Sequence, residues 1–108
     1  MNTLVEDKEV EWIELGGGIK RKVMAYDDQM MVVKVAFEAG GIGAMHSHPH
    51  TQASYVASGK FDITIDGKTK TLKGGDVYFV PSDLMHGAVC LEDGELIDVF
   101  HPLREDFL

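Results

Sequence analysis

Three of the five histidines in this 108-residue chain fall within five consecutive positions, in the stretch His46-Ser47-His48-Pro49-His50. Side chains two positions apart on a β-strand point to the same side, so His46 and His48 can direct two imidazoles at one point. Imidazole nitrogens are common ligands of transition metals. Two histidines alone do not distinguish a metal site from a solvent-exposed His-x-His on a strand surface. A metal site needs further ligands from elsewhere in the chain.

Further candidate ligands lie in two segments that begin with glycines and have a distinctive spacing. In the first, five, one, three and six residues separate successive members of the set Gly40, His46, His48, Gln52 and Gly59. In the second, five and then four residues separate the members of the set Gly75, Pro81 and His86. These spacings resemble the two motifs of the cupin superfamily, at residues 40–59 and 75–90 of a single domain spanning residues 1–108. The resemblance implies an all-β fold, the double-stranded β-helix or jelly-roll barrel.

The chain departs from the usual cupin pattern at Gln52, Asp83 and Cys90, where the superfamily usually has Glu, Gly and Asn. Asp83 is compatible with a turn. Cys90 lies in an apolar segment with no neighbour that would lower its thiol pKa, so we expect a buried hydrophobic residue rather than a nucleophile. A neutral amide at position 52 favours a divalent ion acting as a Lewis acid over redox chemistry. The alternative for Gln52 is a hydrogen bond to a ligand imidazole.

Four longer stretches are similar to one group of this superfamily, the pectin-degradation cupins of the KdgF family. They are GGGIKRKVMAYDD, GAMHSHPHTQ, HGAVCLEDG and DVFHPLREDF. The resemblance implies ring opening of 4,5-unsaturated uronate monosaccharides to the linear 5-keto hexosulose uronate. It also implies one divalent transition metal ion (Ni, Mn, Zn, Fe or Co) on His46, His48, Gln52 and His86, and substrate contacts by Asp98, Phe100 and Arg104.

The residue types suit these roles. Asp98 is embedded in an apolar strand, where burial would raise its pKa towards a range useful for proton transfer. Arg104 can hold a substrate carboxylate with two parallel hydrogen bonds, and Phe100 can form a cavity wall. Tyr55 either contacts sugar hydroxyls or belongs to the core. The alternatives are that Asp98 satisfies a backbone or lysine partner and that Arg104 pairs with a neighbouring acidic residue.

The elements that must position these residues are short strands, because segments of alternating hydrophobicity end at Gly, Pro and Asp turn signals. They predict ten strands: Glu11–Leu15, Ile19–Tyr26, Met30–Phe37, Ala44–His48, Gln52–Ser58, Phe61–Ile65, Lys68–Leu72, Val77–Val80, Gly87–Leu91 and Glu95–Phe100. Turns are predicted at Gly59-Lys60, Asp66-Gly67 and Glu92–Gly94, and one helical turn within Leu103–Leu108. This pattern is typical of a compact double-sheet jelly roll.

Composition excludes several classes of protein. A net charge of −8 and a pI near 4.9 argue against nucleic-acid binding, and Lys20-Arg21-Lys22 is interpreted as a solvated strand face. One cysteine excludes an internal disulfide. An acidic N-terminal stretch and the lack of a long apolar run predict a cytoplasmic protein that does not bind membranes.

The partner predicted from the resemblance is a small uronate, and the apolar segment Met30–Phe37 suggests a homodimer. Two other functions stay open at this point: a cupin dioxygenase, and a non-catalytic, metal-dependent sugar-binding module. Fold alone does not decide among them.

Overall fold

The computed structural model describes residues 2–108 and contains eight β-strands and two short 3-10 helices. The strands are β1 (Ile13–Gly16), β2 (Ile19–Tyr26), β3 (Met31–Phe37), β4 (Ile42–His46), β5 (Thr51–Ile65), β6 (Lys68–Lys73), β7 (Val77–Val80) and β8 (His86–His101). The 3-10 helices are Asp7–Glu9 and Glu105–Phe107, and the second lies within the predicted helical turn. None of the helices formed by the described residues has the length and apolar character needed to cross a lipid bilayer.

The two longest strands, β5 and β8, take part in both layers of the fold. The N-terminal half of β5 pairs with β7 and with the C-terminal half of β8, which in turn pairs with β3. Strands β1 and β2 extend that layer. The C-terminal half of β5 pairs with β6 and with the N-terminal half of β8, which pairs with β4. All of these pairs are antiparallel, so the predicted all-β jelly roll is confirmed.

The prediction of ten strands is wrong at two places, because β5 and β8 each continue through a predicted turn. The chain does not reverse at Gly59-Lys60 or at Glu92–Gly94. Instead, β5 and β8 stay paired through this region with register shifts between Val56 and Phe61. Irregularities of this kind bend a strand without ending it. The glycines that suggested turns therefore mark the bend at which both strands pass from one layer to the other.

We expect a Gly59→Ala substitution to destabilise the fold strongly, because the two strands touch at this bend. A Cβ at position 59 would lie 2.5 Å from the Cα of Gly94 and 2.6 Å from the carbonyl oxygen of Asp93, and Gly59 has a φ of +82°. Gly67 has a similar φ of +78°, but a Cβ at that position would meet no other atom within 4 Å.

In urea unfolding, Gly67→Ala should therefore lower the free energy of unfolding only by the backbone penalty of roughly 1–2 kcal/mol. Gly59→Ala should lower it by that amount plus an overpacking penalty of about 1–3 kcal/mol. Equal losses in the two variants would contradict the close crossing of β5 and β8.

Several local predictions are confirmed. Asp66-Gly67 is a hairpin with both residues at positive φ, and Asp83 also has a positive φ of 71°. Cys90 is buried and packs in the main core cluster. That cluster is formed by buried apolar side chains of β3, β5 and β8: Phe37, Val56, Phe61, Ile63, Ala88, Cys90 and Leu96.

Met30–Phe37 does not offer the free edge on which a homodimer was predicted to form. Strand β3 pairs on one side with β2 and on the other with β8, and Met31 and Val33 are fully buried. Met31 and Val33 therefore belong to the chain's own core, where they form a second cluster with Phe100, whereas Met30 is 53% exposed. The homodimer stays a prediction.

The interpretation of Lys20-Arg21-Lys22 as a solvated face is also wrong. Lys22 is 3% exposed, and its ammonium pairs with the Asp7 carboxylate at 2.8 Å and donates to the backbone oxygen of Val10. This pairing and a second one to Lys34 lower the pKa of Asp7 to about 2. The N-terminal segment thus covers one face of β2. Arg21, between the two lysines, points to the opposite face.

Candidate metal centre and its cavity

Three histidines come together from the ends of two paired strands and the loop between β4 and β5. His46 ends β4 and is the register partner of His86, which begins β8, while His48 follows two residues after His46. One ring nitrogen from each of the three lies within 4.8 Å of the others. The ring centroids of His46 and His86 are 4.3 Å apart, and those of His48 and His86 are 4.7 Å apart.

Each of these imidazoles is oriented by a backbone carbonyl oxygen next to its Nδ1 atom. The three Nδ1–oxygen distances are 2.8 Å for His46 to Ala44, 3.1 Å for His48 to His50 and 2.9 Å for His86 to Leu84. A proton on Nδ1 leaves the Nε2 lone pair free, which is how outer contacts orient metal-binding histidines. The Nε2 atom of His86 is buried and has no hydrogen-bond partner among the described residues.

Burial lowers the pKa of both His48 and His86, with desolvation as the largest cause. The positive charge of Arg104 adds to the lowering at both rings. Because the neutral imidazole is the form that binds metals, the environment favours the ligand form of both side chains.

Gln52 extends the cluster through its side-chain amide. Its Oε1 lies 3.1 Å from the Nε2 of His48, and its Nε2 donates to the Oγ of Ser54 at 2.9 Å. Ser54 in turn donates to the Oδ1 of Asp98 at 2.6 Å. Because the only proton of the Ser54 hydroxyl goes to Asp98, Ser54 needs a donor on its other side. An amide supplies that donor and a carboxylate does not, which gives a structural reason for Gln at this position.

The donor set fits a divalent transition metal. A neutral His48 has one N–H, yet both of its nitrogens face oxygens at 3.1 Å, one on His50 and one on Gln52. An imidazolium would satisfy both contacts, but burial disfavours it. A cation between His48 Nε2 and Gln52 Oε1 removes the conflict, and the free Nε2 of His86 faces the same cluster. Three imidazole nitrogens and one amide oxygen are suitable ligands for such an ion.

Asp98 is buried beside this cluster. It lies on β8 opposite Ser54 of β5 and is 8% exposed. Desolvation raises its pKa to about 6, against the lowering effects of the Ser54 hydrogen bond and the Arg104 charge. The hydrogen-bond partner of Asp98 is the Ser54 hydroxyl, not the lysine or backbone group considered from the sequence. A carboxyl group with a pKa near 6 can both accept and donate a proton near neutral pH.

A cavity of about 260 Å³ is lined by Asp98, Gln52 and two of the three histidines, His46 and His86. Its volume is below the roughly 300–1,000 Å³ typical of sites for drug-sized ligands, so it suits a monosaccharide better than an oligosaccharide. Apolar side chains including Phe100 form much of the wall, and the polar lining residues are Arg21, His46, Gln52, Tyr78, His86, Asp98 and Arg104.

Arg104 reaches this cavity but is already paired. Its Nε and Nη2 atoms donate to the two carboxylate oxygens of Asp106 at 3.0 and 2.8 Å, the alternative left open by the sequence. Its guanidinium carbon lies 4.3 Å from the ring centre of Phe107 and 5.1 Å from that of Phe100. Asp106 takes two of the five guanidinium N–H groups, so three are left for a ligand.

Tyr55 does not line the cavity, so the structure gives no support to its predicted contact with sugar hydroxyls. It lies between Ser54 and Val56 on β5, both of which are buried, so its own side chain points to the outer face and is 45% exposed. It is not a core residue either. His50 and His101 also lie outside the cluster: the first contacts the backbone oxygen of Leu103 and the second that of Gln29.

Three lining or supporting residues were missed by the sequence analysis, namely Ser54, Tyr78 and Arg21. Ser54 follows Gln52 by two positions on the same strand, a spacing that would have placed both side chains on one face. Tyr78 lines the cavity, and burial together with the Asp98 charge raises its pKa. Arg21 lies within a run of cations, and nothing in that run distinguishes the inward-facing member from its neighbours.

The chain is similar to known cupins in sequence and structure. The Cupin domain family matches residues 33–100, which is more than half of the chain. The pectin degradation protein KdgF of Dickeya dadantii is 49% identical over 104 residues, covering 94% of each chain. KdgF from Halomonas sp. is 37% identical with a TM-score of 0.95 over 100% of both chains. An RmlC-like cupin from Shewanella frigidimarina is 42% identical with a TM-score of 0.97, covering 100% of this chain and 97% of that one.

Proposed function

This chain belongs to the cupin domain family, and we propose that its cavity opens the ring of 4,5-unsaturated uronate monosaccharides released in pectin or alginate breakdown. The product is the linear 5-keto hexosulose uronate. The observation that carries the proposal is a buried carboxyl group, Asp98, in the same small cavity as Gln52 and two of the three converging histidines, His46 and His86. The likeness to two KdgF proteins over nearly the whole chain, one of them named for pectin degradation, supports the substrate class.

Asp98 carries out the proton transfers in the proposed reaction. As a carboxylate it takes the proton of the anomeric hydroxyl, the C1–O1 double bond forms, and the C1–O5 bond breaks. The electron pair of that bond stays on O5, which gives an enolate across C4, C5 and O5. Asp98, now protonated, returns the proton to C4 and leaves a ketone at C5. Substrate and product have the same atoms, so the reaction is an isomerisation that needs no oxidant.

The other residues hold the substrate in place for these transfers. His46, His48, His86 and Gln52 would hold a divalent ion, which when bound supplies Lewis-acid stabilisation of negative charge on substrate oxygens. Arg104 contacts the substrate carboxylate through the N–H groups that Asp106 does not take. Phe100 forms the wall beside Asp98, two positions away on β8.

The proposal is tested by incubating the purified, metal-loaded protein with unsaturated galacturonate. The ultraviolet absorbance of the conjugated double bond should disappear, and NMR should show a C5 ketone and a C4 methylene group. With the reaction run in deuterated water, deuterium should appear at C4, because the anomeric hydroxyl that supplies the transferred proton exchanges with the solvent before turnover. Unchanged substrate after prolonged incubation would contradict the proposal and favour a sugar-binding module.

Turnover should be independent of oxygen. A neutral amide in the ligand set and an isomerisation without redox change both predict equal rates in air and under strict anaerobic conditions. Replacing a redox-active divalent ion by a redox-inert one should change the rate without abolishing it. Oxygen consumption coupled to turnover, measured with an electrode, would instead place this protein among the cupin dioxygenases.

A further inference from the structure

Arg21 is a cation in the cavity without a partner. Its side chain lines the same cavity as Asp98 and Gln52. Its Nε is fully buried and makes no hydrogen bond to any described residue, and no carboxylate of residues 2–108 forms a salt bridge with it. A buried N–H group without an acceptor is costly and uncommon in folded proteins. The Arg21 guanidinium lies in the cavity wall without a carboxylate partner, so it is suited to pair with an anionic group of a ligand.

The surroundings of Arg21 carry an excess of positive charge. Its guanidinium carbon lies 3.8 Å from the centre of the Phe107 ring, and that of Arg104 lies 4.3 Å from the centre of the same ring. Burial and the charge of Arg104 both lower the pKa of Arg21, while Asp106 opposes them. Asp106 is bound in bidentate fashion to Arg104 alone. Arg104 is therefore paired with Asp106, whereas Arg21 beside it has no carboxylate partner among residues 2–108.

We propose that Arg21 binds the carboxylate of a uronic acid and so determines that the cavity accepts acidic rather than neutral sugars. This inference rests on the proposed function for its substrate class. Arginine is suited to the task, because its planar N–H groups match the two oxygens of a carboxylate. Arg21, with Arg104 beside it, presents a positive charge that the carboxylate of an acidic sugar would neutralise.

A purely structural role for Arg21 would be to hold the C-terminal segment through its stacking on Phe107. The two roles differ in what they predict for sugars. A carboxylate contact favours acidic over neutral sugars, whereas stacking on Phe107 affects both alike. Lys20 offers a matched control, because it precedes Arg21 on β2, carries the same charge and lies on the opposite face over Trp12.

The experiment measures the binding of D-galacturonate and D-galactose by calorimetry, on metal-loaded wild type, Arg21→Met, Arg21→Lys and Lys20→Met. These two sugars differ in the carboxylate and are not ring-opened, so binding is measured without turnover. Arg21→Met should weaken galacturonate binding by roughly tenfold to hundredfold, the usual cost of a charged hydrogen bond. It should leave galactose binding unchanged, while Lys20→Met should behave as wild type. Arg21→Lys keeps the charge and should restore galacturonate binding only in part.

Equal binding of galacturonate by wild type and Arg21→Met would overturn the inference, as would equal losses for both sugars. If Arg21→Met does not fold, Arg21→Lys decides, because wild-type affinity in that variant would contradict a two-pronged contact. Failure of the proposed function gives a different result. In that case unsaturated galacturonate is not converted, yet galacturonate binding still depends on Arg21.

Discussion

A His48→Ala variant should lose both its metal and its activity while remaining a folded β protein. His48 is one of three imidazoles whose nitrogens converge within 4.8 Å, and its Nε2 faces the Gln52 oxygen. Loss of an outer contact to a metal ligand typically costs 10–100-fold in affinity, so loss of a ligand itself should cost more than about 100-fold. Metal analysis after dialysis, together with turnover of unsaturated galacturonate, measures both effects. Circular dichroism should show that the sheets persist.

His101→Ala is the matched control for this variant. His101 is exposed, contacts only a backbone oxygen of Gln29, and lies at the far end of β8 from His86. The His101→Ala variant should therefore keep one equivalent of metal and turn over substrate at the wild-type rate. Stoichiometric metal retained by a triple variant of His46, His48 and His86 would refute the metal centre, because no other group of three ligand side chains converges in the part of the chain that is described.

Asp98→Asn should reduce kcat by about 10²–10⁴-fold with little change in KM, the usual size of a general acid–base contribution. The amide oxygen of the variant can still accept the Ser54 hydroxyl, so the hydrogen-bond chain through Gln52 to His48 should persist and the metal should stay bound. Initial-rate kinetics and metal analysis test the two statements. A large increase in KM with an unchanged kcat would instead make Asp98 a binding residue.

The same substitution should also make the metal-free protein more stable at neutral pH. Burial raises the pKa of Asp98 from 3.8 to about 6, so the folded state holds this proton more tightly than the unfolded state does. The contribution of Asp98 to stability is therefore fully present below pH 4 and is lost as the pH rises through 6. The difference between the two pKa values corresponds to about 3 kcal/mol.

Urea unfolding of wild type and Asp98→Asn at several pH values isolates this contribution, because both proteins share every other titrating group. The stability of Asp98→Asn relative to wild type should increase between pH 4 and pH 7. A difference that does not vary with pH would mean that Asp98 is not a buried, titrating carboxyl group.

The sequence could predict those features that depend on local pattern. Alternation and turn residues located six of the strands within about two residues, and the spacing around His46 and His86 indicated which side chains meet. For β5 and β8, the sequence pattern predicted two short strands in place of one long strand. A glycine such as Gly59 or Gly94 occurs both in tight turns and in bends where two strands touch, and the local sequence does not distinguish the two. Only the long-range pairing of β5 with β8 distinguishes these cases.

The electrostatics of the cavity depend on tertiary contacts and could not be predicted in the same way. Arg21 and Lys22 are adjacent cations, yet one enters the cavity and the other is buried by Asp7 on the opposite face. From the sequence, either Glu105 or Asp106 could pair with Arg104. In the structure, the 3-10 helix Glu105–Phe107 places Asp106 against the guanidinium. Tyr55 was a candidate for either the cavity or the core, but it lies between the buried Ser54 and Val56 on β5 and its side chain points outward.

The order of the candidate ligands along the chain has a consequence for synthesis and folding. During translation, His46, His48 and Gln52 emerge first, and His86 and Asp98 follow only later, with β8. Pairing of β8 with β5 joins residues that are 20 to 50 positions apart, and contacts of such long range form late in folding. The nascent chain therefore offers a metal only two imidazoles and an amide, a poor ligand set. Acquisition of the ion should coincide with closure of the barrel, so stoichiometric metal in a preparation would report the fraction of molecules that have completed folding.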